Sequence, residues 1–151
     1  MPQSNWRRCK KCYGLFFAGN PGSVCPAGGQ HDFTGTPFNF NIDFAGDPTG
    51  GQPNWQWCHK CQGLFYAGIG GQIAAWGPST GTCPAGGGHS YAGSAGYRLH
   101  FEPTGGEGGW TWCNKCQGLF FAGTVDLTSG TCPAGGGHNY SGSGNYGLAT
   151  I

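Results

Sequence analysis

Apolar residues in this chain come in short bursts rather than in long stripes. Segments such as Trp55-Gln56-Trp57, Leu64-Phe65-Tyr66 and Tyr97-Arg98-Leu99 are separated by glycine and proline, and the longest stretch free of both, Gln3 to Tyr13, is 11 residues. Because either residue interrupts a helix, a long helix is excluded. Apolar and polar positions alternate through Tyr91 to Leu99, the period of a half-buried strand. The pattern predicts four short strands per unit, around Trp-x-Trp-Cys, Gly-Leu-Phe-Phe-Ala-Gly, His-x-Tyr and Tyr-x-Leu. No window of 18 apolar residues predicts a membrane span, and no apolar core follows the polar, basic segment Met1 to Cys12 as in a secretory leader. The expected location is the cytoplasm, or the exterior after release without such a leader.

The bursts repeat. Trp6 to Gly19 recurs as Trp55 to Gly68 and as Trp110 to Gly123, and after a variable loop each copy resumes with Cys-Pro-Ala-Gly-Gly-x-His, at Cys25 to His31, Cys83 to His89 and Cys132 to His138. The linker Asp47-Pro48-Thr49-Gly50-Gly51 matches Glu102-Pro103-Thr104-Gly105-Gly106. The chain therefore divides into repeats 1–49, 50–104 and 105–151 of a single domain. Trp6/Trp55/Trp110, Leu15/Leu64/Leu119, Phe16/Phe65/Phe120 and Phe40/Leu99/Leu148 are each expected to form a layer of three about a pseudo-threefold axis.

The 9 cysteines fall three to a repeat, so no repeat can pair all of its own thiols. Metal binding accounts for every one. Cys-x2-Cys is followed by Cys-x5-His after 12, 21 or 15 intervening residues, which gives three Cys3His sets of the kind that closes a tetrahedral zinc site. The sets are Cys9, Cys12, Cys25 and His31; Cys58, Cys61, Cys83 and His89; and Cys113, Cys116, Cys132 and His138. Three structural zinc ions per chain are expected. Gly14, Gly63 and Gly118 are expected to take the left-handed turn of the first knuckle, and Pro26, Pro84 and Pro133 with the glycines after them to shape the second. Lys11, Lys60 and Lys115 precede the second cysteine in every copy, where an ammonium offsets the charge of three thiolates. His59 and His100 lack counterparts and are expected to be ordinary surface residues.

Composition sharpens this reading. Glycine (33) and proline (10) are abundant, as in disordered chains, but 22 aromatic residues and a net charge of +1 argue for a folded body. Seven basic against six acidic side chains make too weak a field to collect nucleic acid by electrostatics alone.

Three repeats of about 50 residues with four strands each make about 12 strands, and in that the chain resembles the β-trefoil family, as in ricin-B-type lectins and fungal trefoil protease inhibitors. The resemblance implies an all-β, pseudo-threefold domain. Locally, Trp-x-Trp-Cys-x-Lys-Cys-x-Gly-Leu looks like zinc-ribbon knuckles. The competing architecture is three tandem zinc-ribbon-like modules, each of which would bury little by itself.

An enzyme is not expected: four protein ligands close a zinc sphere that catalysis would leave open, and the acids include no repeated position. The leading expectation is a multivalent, lectin-like carbohydrate-binding protein, in which aromatic faces stack on sugar C–H groups while small polar residues read hydroxyls. Candidate positions are Ser90, Tyr91 and Ser94, their counterparts Asn139, Tyr140 and Ser143, and Trp76 in the unmatched insertion of repeat 2. Repeat 1 carries Asp32, Phe33 and Thr36 there, and has Arg8 where the others have Trp57 and Trp112, so the three copies are not expected to bind equally. One alternative is nucleic-acid binding by zinc knuckles with stacking aromatics, supported by Arg7, Arg8, Lys10 and Lys11. Another is a protein-binding role, such as a protease inhibitor or toxin component.

Overall fold

The computed structural model describes residues 2–20, 22–36, 38–47, 50–67, 81–102, 106–122 and 130–150. Trp76 lies outside them. The described residues contain no helix and nine strands: β1 (Gln3–Arg8), β2 (Leu15–Phe17), β3 (Phe40–Phe44), β4 (Gln52–Trp57), β5 (Leu64–Tyr66), β6 (Tyr97–Phe101), β7 (Glu107–Trp112), β8 (Leu119–Phe121) and β9 (Asn145–Thr150). Each repeat has three strands rather than the four its pattern predicts. The difference falls on His-x-Tyr, which is a turn. There the Phe33, Tyr91 and Tyr140 carbonyls accept from the N–H groups of Thr36, Ser94 and Ser143 at 3.0, 3.0 and 2.9 Å. Short polar side chains complete it: the Asp32 carboxylate accepts from the Thr34 N–H at 2.8 Å, and Asn139 Oδ1 from that of Ser141 at 2.9 Å. Such side-chain bonds give the backbone an alternative to a strand ladder.

Within a repeat the first strand pairs antiparallel with both others: β1 with β2 and β3, β4 with β5 and β6, β7 with β8 and β9. The third strands then pair in a ring. Phe44 faces Tyr97, Phe101 faces Tyr146, and Phe40 faces Thr150, which joins β3 to β6, β6 to β9 and β9 back to β3. A second belt runs through the knuckles, where Phe16 bridges Gly63, Phe65 bridges Gly118 and Phe120 bridges Gly14. The result is a nearly closed, barrel-like sheet with pseudo-threefold symmetry.

Each first strand bulges at one residue, as the register shifts between Gln3 and Trp6, Gln52 and Trp55, and Glu107 and Trp110 show. The bulge holds Asn5, Asn54 and Gly109 at φ of 74°, 75° and 88°, a conformation that Asn and Gly enter most readily. It turns Trp6, Trp55 and Trp110 into the centre, where all three are fully buried. Each indole meets a ring from another repeat edge-on: Trp6 with Tyr97 at 5.3 Å, Trp55 with Tyr146 at 5.4 Å and Trp110 with Phe40 at 5.3 Å. The central cluster draws on all three repeats, so they share one core.

Two expected layers are corrected by the register. Gln3 faces Ile42, Gln52 faces Leu99 and Glu107 faces Leu148, so the aliphatic layer is Ile42/Leu99/Leu148 and Phe40 belongs with Tyr97 and Tyr146. Phe16, Phe65 and Phe120 leave the centre as well. Each is buried among the three cysteines of its own repeat, in three satellite clusters.

Candidate metal centres

The β1–β2, β4–β5 and β7–β8 connections carry the first two cysteines of each set. Their tight turn depends on a left-handed residue, but it is the one before the expected glycine: Tyr13, Gln62 and Gln117 have φ of 67°, 71° and 69°. In repeats 2 and 3 the glutamine side chain is clamped, accepting from the indole N–H of Trp57 or Trp112 at 2.9 Å and donating to the carbonyl of His59 or Asn114 at 3.1 Å. Gly14, Gly63 and Gly118 serve differently. Their N–H groups point at Cys12, Cys61 and Cys116 Sγ at 3.4 Å, and they pack beside the carbonyls of Leu119, Leu15 and Leu64 from a neighbouring repeat. In the second knuckle the glycines are left-handed as expected, with Gly28 and Gly29 at φ of 106° and 63° and near-identical values in the other copies.

Every cysteine is buried and free of disulfide bonding. The four donor atoms of each Cys3His set lie within 4.8 Å of one another. Within the sets, Cys9–Cys25, Cys58–Cys83 and Cys113–Cys132 sulfurs are 3.8, 3.9 and 3.8 Å apart, far beyond a disulfide bond of about 2 Å. The histidine Nδ1 atoms lie 3.5, 3.6 and 3.6 Å from Cys12, Cys61 and Cys116 Sγ. Tetrahedral coordination at about 2.3 Å for sulfur and about 2.0 Å for nitrogen requires separations of about 3.8 and about 3.5 Å. The donor sets therefore fit one tetrahedral metal ion each.

Electrostatics favour a cation at each centre. Hydrogen bonds from Cys12 and Cys25 hold the Cys9 thiol far below its usual range, while competition from Cys25 and Cys9 pushes Cys12 well above it. Cys58 against Cys61 and Cys113 against Cys116 repeat the split, and Cys113 pushes Cys132 up to about 11. One thiolate forms readily and the next is opposed by the first, an opposition that a divalent ion removes. Burial lowers the affinity of His89 for a proton, but hydrogen bonds to Cys58 and Cys83 outweigh it and push the imidazole up to about 9. Each of the nine sulfurs also faces one backbone N–H at 3.4 Å; in repeat 1 these come from Asp32, Gly14 and Ala27 toward Cys9, Cys12 and Cys25.

The surroundings hold the ligands in place. Phe16, Phe65 and Phe120 stack on His31, His89 and His138 at 4.6, 4.6 and 4.4 Å. Lys60 donates to the Gly86 and Gly88 carbonyls at 2.6 and 2.8 Å and Lys115 to those of Gly135 and Gly137, so these lysines brace the second knuckle. The three centres converge on the pseudo-threefold axis, where Leu15, Leu64 and Leu119, Pro26, Pro84 and Pro133 and the three ligand histidines line a depression of about 40 Å³. His59 is exposed, and His100 is half-buried with its Nε2 at 2.7 Å from the Asp43 carboxylate in a hydrogen bond; neither belongs to a Cys3His set.

The candidate sugar-contact positions lie on the His-x-Tyr turns. Tyr91 and Tyr140 are exposed (52% and 55%), as is Phe33 (39%). The hydroxyls of Ser94 and Ser143 accept from the N–H groups of Trp57 and Trp112 at 3.0 and 2.8 Å, which ties each turn to the preceding first strand. Asn139 is engaged within its turn and by Asn114 Nδ2 at 3.2 Å, while Ser90 contributes its N–H to Cys58 and its carbonyl to the His59 N–H. Nothing in the sequence pattern pointed to the braces made by Gln62 and Gln117, because polar residues beside a knuckle read as surface. No protein-family model matches the chain, and neither a curated protein nor a solved structure is significantly similar to it.

Proposed function

We propose that the chain is a non-catalytic, multivalent carbohydrate-binding protein, a trefoil-like lectin whose three Cys3His centres hold structural zinc. One observation carries the binding reading: three equivalent turns each present an outward aromatic ring, Phe33, Tyr91 or Tyr140, in a chain that buries most of its other large rings. Each turn is fixed at its base by an N–H···S bond to the metal set of its own repeat, so the rings are held at defined positions before any ligand arrives. An exposed, preorganised aromatic face suits the apolar C–H side of a neutral sugar, and three weak sites on one body gain affinity for a dense glycan surface by linkage alone.

The repeats are unequal in a way that favours 2 and 3. The Arg7 guanidinium lies over the Phe33 ring, 4.7 Å from its centre, whereas Gln56 and Thr111 stand at the equivalent positions. A sugar at repeat 1 would have to displace that cation–π contact, worth roughly 0.5–1 kcal/mol at an exposed site.

The test is a broad glycan array with the parent chain and with Tyr91→Ala plus Tyr140→Ala. The parent is expected to bind at least one neutral glycan, and the double variant to lose most of that binding at unchanged zinc content. Parent binding that free sugar does not compete, or that collapses steeply with salt, would move the reading to a protein or nucleic-acid partner.

A further inference from the structure

In repeats 2 and 3 the ligand histidine reaches across to the next repeat. His89 Nε2 lies 3.1 Å from the carbonyl of Cys116, and His138 Nε2 lies 3.1 Å from that of Cys12. When Nδ1 holds a metal, Nε2 carries the proton, so these are N–H···O=C bonds that fix the tautomer and the ring plane. The series, continued, would take His31 to the carbonyl of Cys61. There it fails: His31 Nε2 is buried without a hydrogen-bond partner among the described residues.

The cause lies two residues before the third cysteine. Gly81 and Gly130 occupy that position in repeats 2 and 3 at φ of +69° and +66°, pressed so closely on the acceptor peptides that an added Cβ would stand 2.0 Å from the Cys116 oxygen and 2.1 Å from the Cys12 oxygen. Repeat 1 has Ser23. A side chain cannot enter that space, and Ser23 Oγ accepts instead from the His31 N–H at 3.0 Å. A second difference is independent of the first. Gln30 replaces the glycine at 88 and 137, and among the described residues Lys11 braces its knuckle through the Gly28 carbonyl alone, where Lys60 and Lys115 each make two bonds.

We propose that the centre formed by Cys9, Cys12, Cys25 and His31 is the exchangeable metal site of the three, and that Ser23 sets the difference. The proposal rests on the zinc reading above. Losing the partner of a ligating histidine costs about 10- to 100-fold in metal affinity, so repeat 1 surrenders its ion to competitors that leave repeats 2 and 3 filled.

The test is chelator competition on the full zinc-loaded chain, with 4-(2-pyridylazo)resorcinol as the reporting chelator and iodoacetamide to label the cysteines that become free. One ion per chain is expected to transfer at a chelator concentration about 10- to 100-fold below that needed for the other two, with label confined to Cys9, Cys12 and Cys25. Ser23→Gly should move that ion's release toward the others. The reverse substitution Gly130→Ser should create a second early release with label at Cys113, Cys116 and Cys132; if that chain does not fold, Ser23→Gly decides alone. Three ions leaving together, label elsewhere, or a Ser23→Gly profile identical to the parent overturns the proposal while leaving the zinc reading intact. A chain that loads fewer than two zinc ions by elemental analysis overturns both.

Discussion

Glu107 stands where the other repeats have Gln3 and Gln52, and all three accept from the indole N–H of the buried tryptophan in their own repeat, at 3.2, 3.1 and 2.9 Å. The glutamines also accept from Tyr97 and Tyr146, whereas Glu107 belongs to the contact where the partner ring is Phe40 and offers no hydroxyl. Burial raises the Glu107 carboxyl above its ordinary 4.5. The folded chain thus holds that proton more tightly than the unfolded one. The penalty of ionising it is absent below about pH 4.5 and grows as pH rises through the folded value. Glu107→Gln should therefore raise the thermal midpoint at pH 7 and leave it unchanged at pH 4. Scanning calorimetry at the two pH values checks this, and equal effects at both would show that the charge is not the cause. Single residues also mark the limit of sequence reading here. Tyr13, Gln62 and Gln117 carry the left-handed turn that the adjacent glycines were expected to carry, while those glycines bridge to Phe120, Phe16 and Phe65 of a neighbouring repeat, a pairing that no pattern within one repeat can reveal.

Among the elements, the bulged first strands decide where the core is. A bulge at Asn5, Asn54 or Gly109 re-aims the following tryptophan inward, and it works only if that residue accepts a left-handed conformation. Asn54→Gly should be tolerated with little change, whereas Asn54→Val, β-branched at positive φ, should cost about 1–3 kcal/mol. Urea denaturation of the two variants measures the difference, and equal stabilities would mean that the bulge relaxes at no cost. Strands around Trp-x-Trp, Leu-Phe-Phe and Tyr-x-Leu were legible as short apolar and aromatic runs between glycines. Their pairing register was not, since a shift by two positions keeps the same residues facing inward and so leaves the pattern unchanged, as with Phe40 and Ile42.

For the whole molecule, the shared core predicts how loss of the proposed zinc ions would be felt. Structural zinc in peptide models contributes about 10–16 kcal/mol to folding, and few aliphatic side chains are present here to replace it. Full chelation is expected to abolish the near-UV circular dichroism signal of the buried tryptophans, and a chain that kept it would show that the aromatic core stands alone. Cys61→Ser, which removes one ligand at the centre of repeat 2, should lower the thermal midpoint sharply. It should do so in one cooperative transition, because Trp6, Trp55 and Trp110 each pack on a ring from another repeat. Three separate transitions would instead indicate independent modules.

The sequence by itself determined the chemistry of the three centres. Ligand type and spacing within each knuckle are local properties, so Cys-x2-Cys and Cys-x5-His each present two donors, and the four together lie within 4.8 Å of one another in the folded chain. It likewise determined the all-β class, through the density of glycine and proline, and the division into repeats. Only the tertiary structure decided how the repeats meet: the ring of β3, β6 and β9, the edge-on ring pairs across repeat boundaries, and the bonds from His89 and His138 to the neighbouring repeats. Those contacts join residues up to 126 positions apart, and Ser23 gains its meaning only against Gly81 and Gly130, which press on the Cys116 and Cys12 peptides of other repeats. Spacing along a chain carries no information about such a meeting, because it depends on the closure of the sheet as a whole.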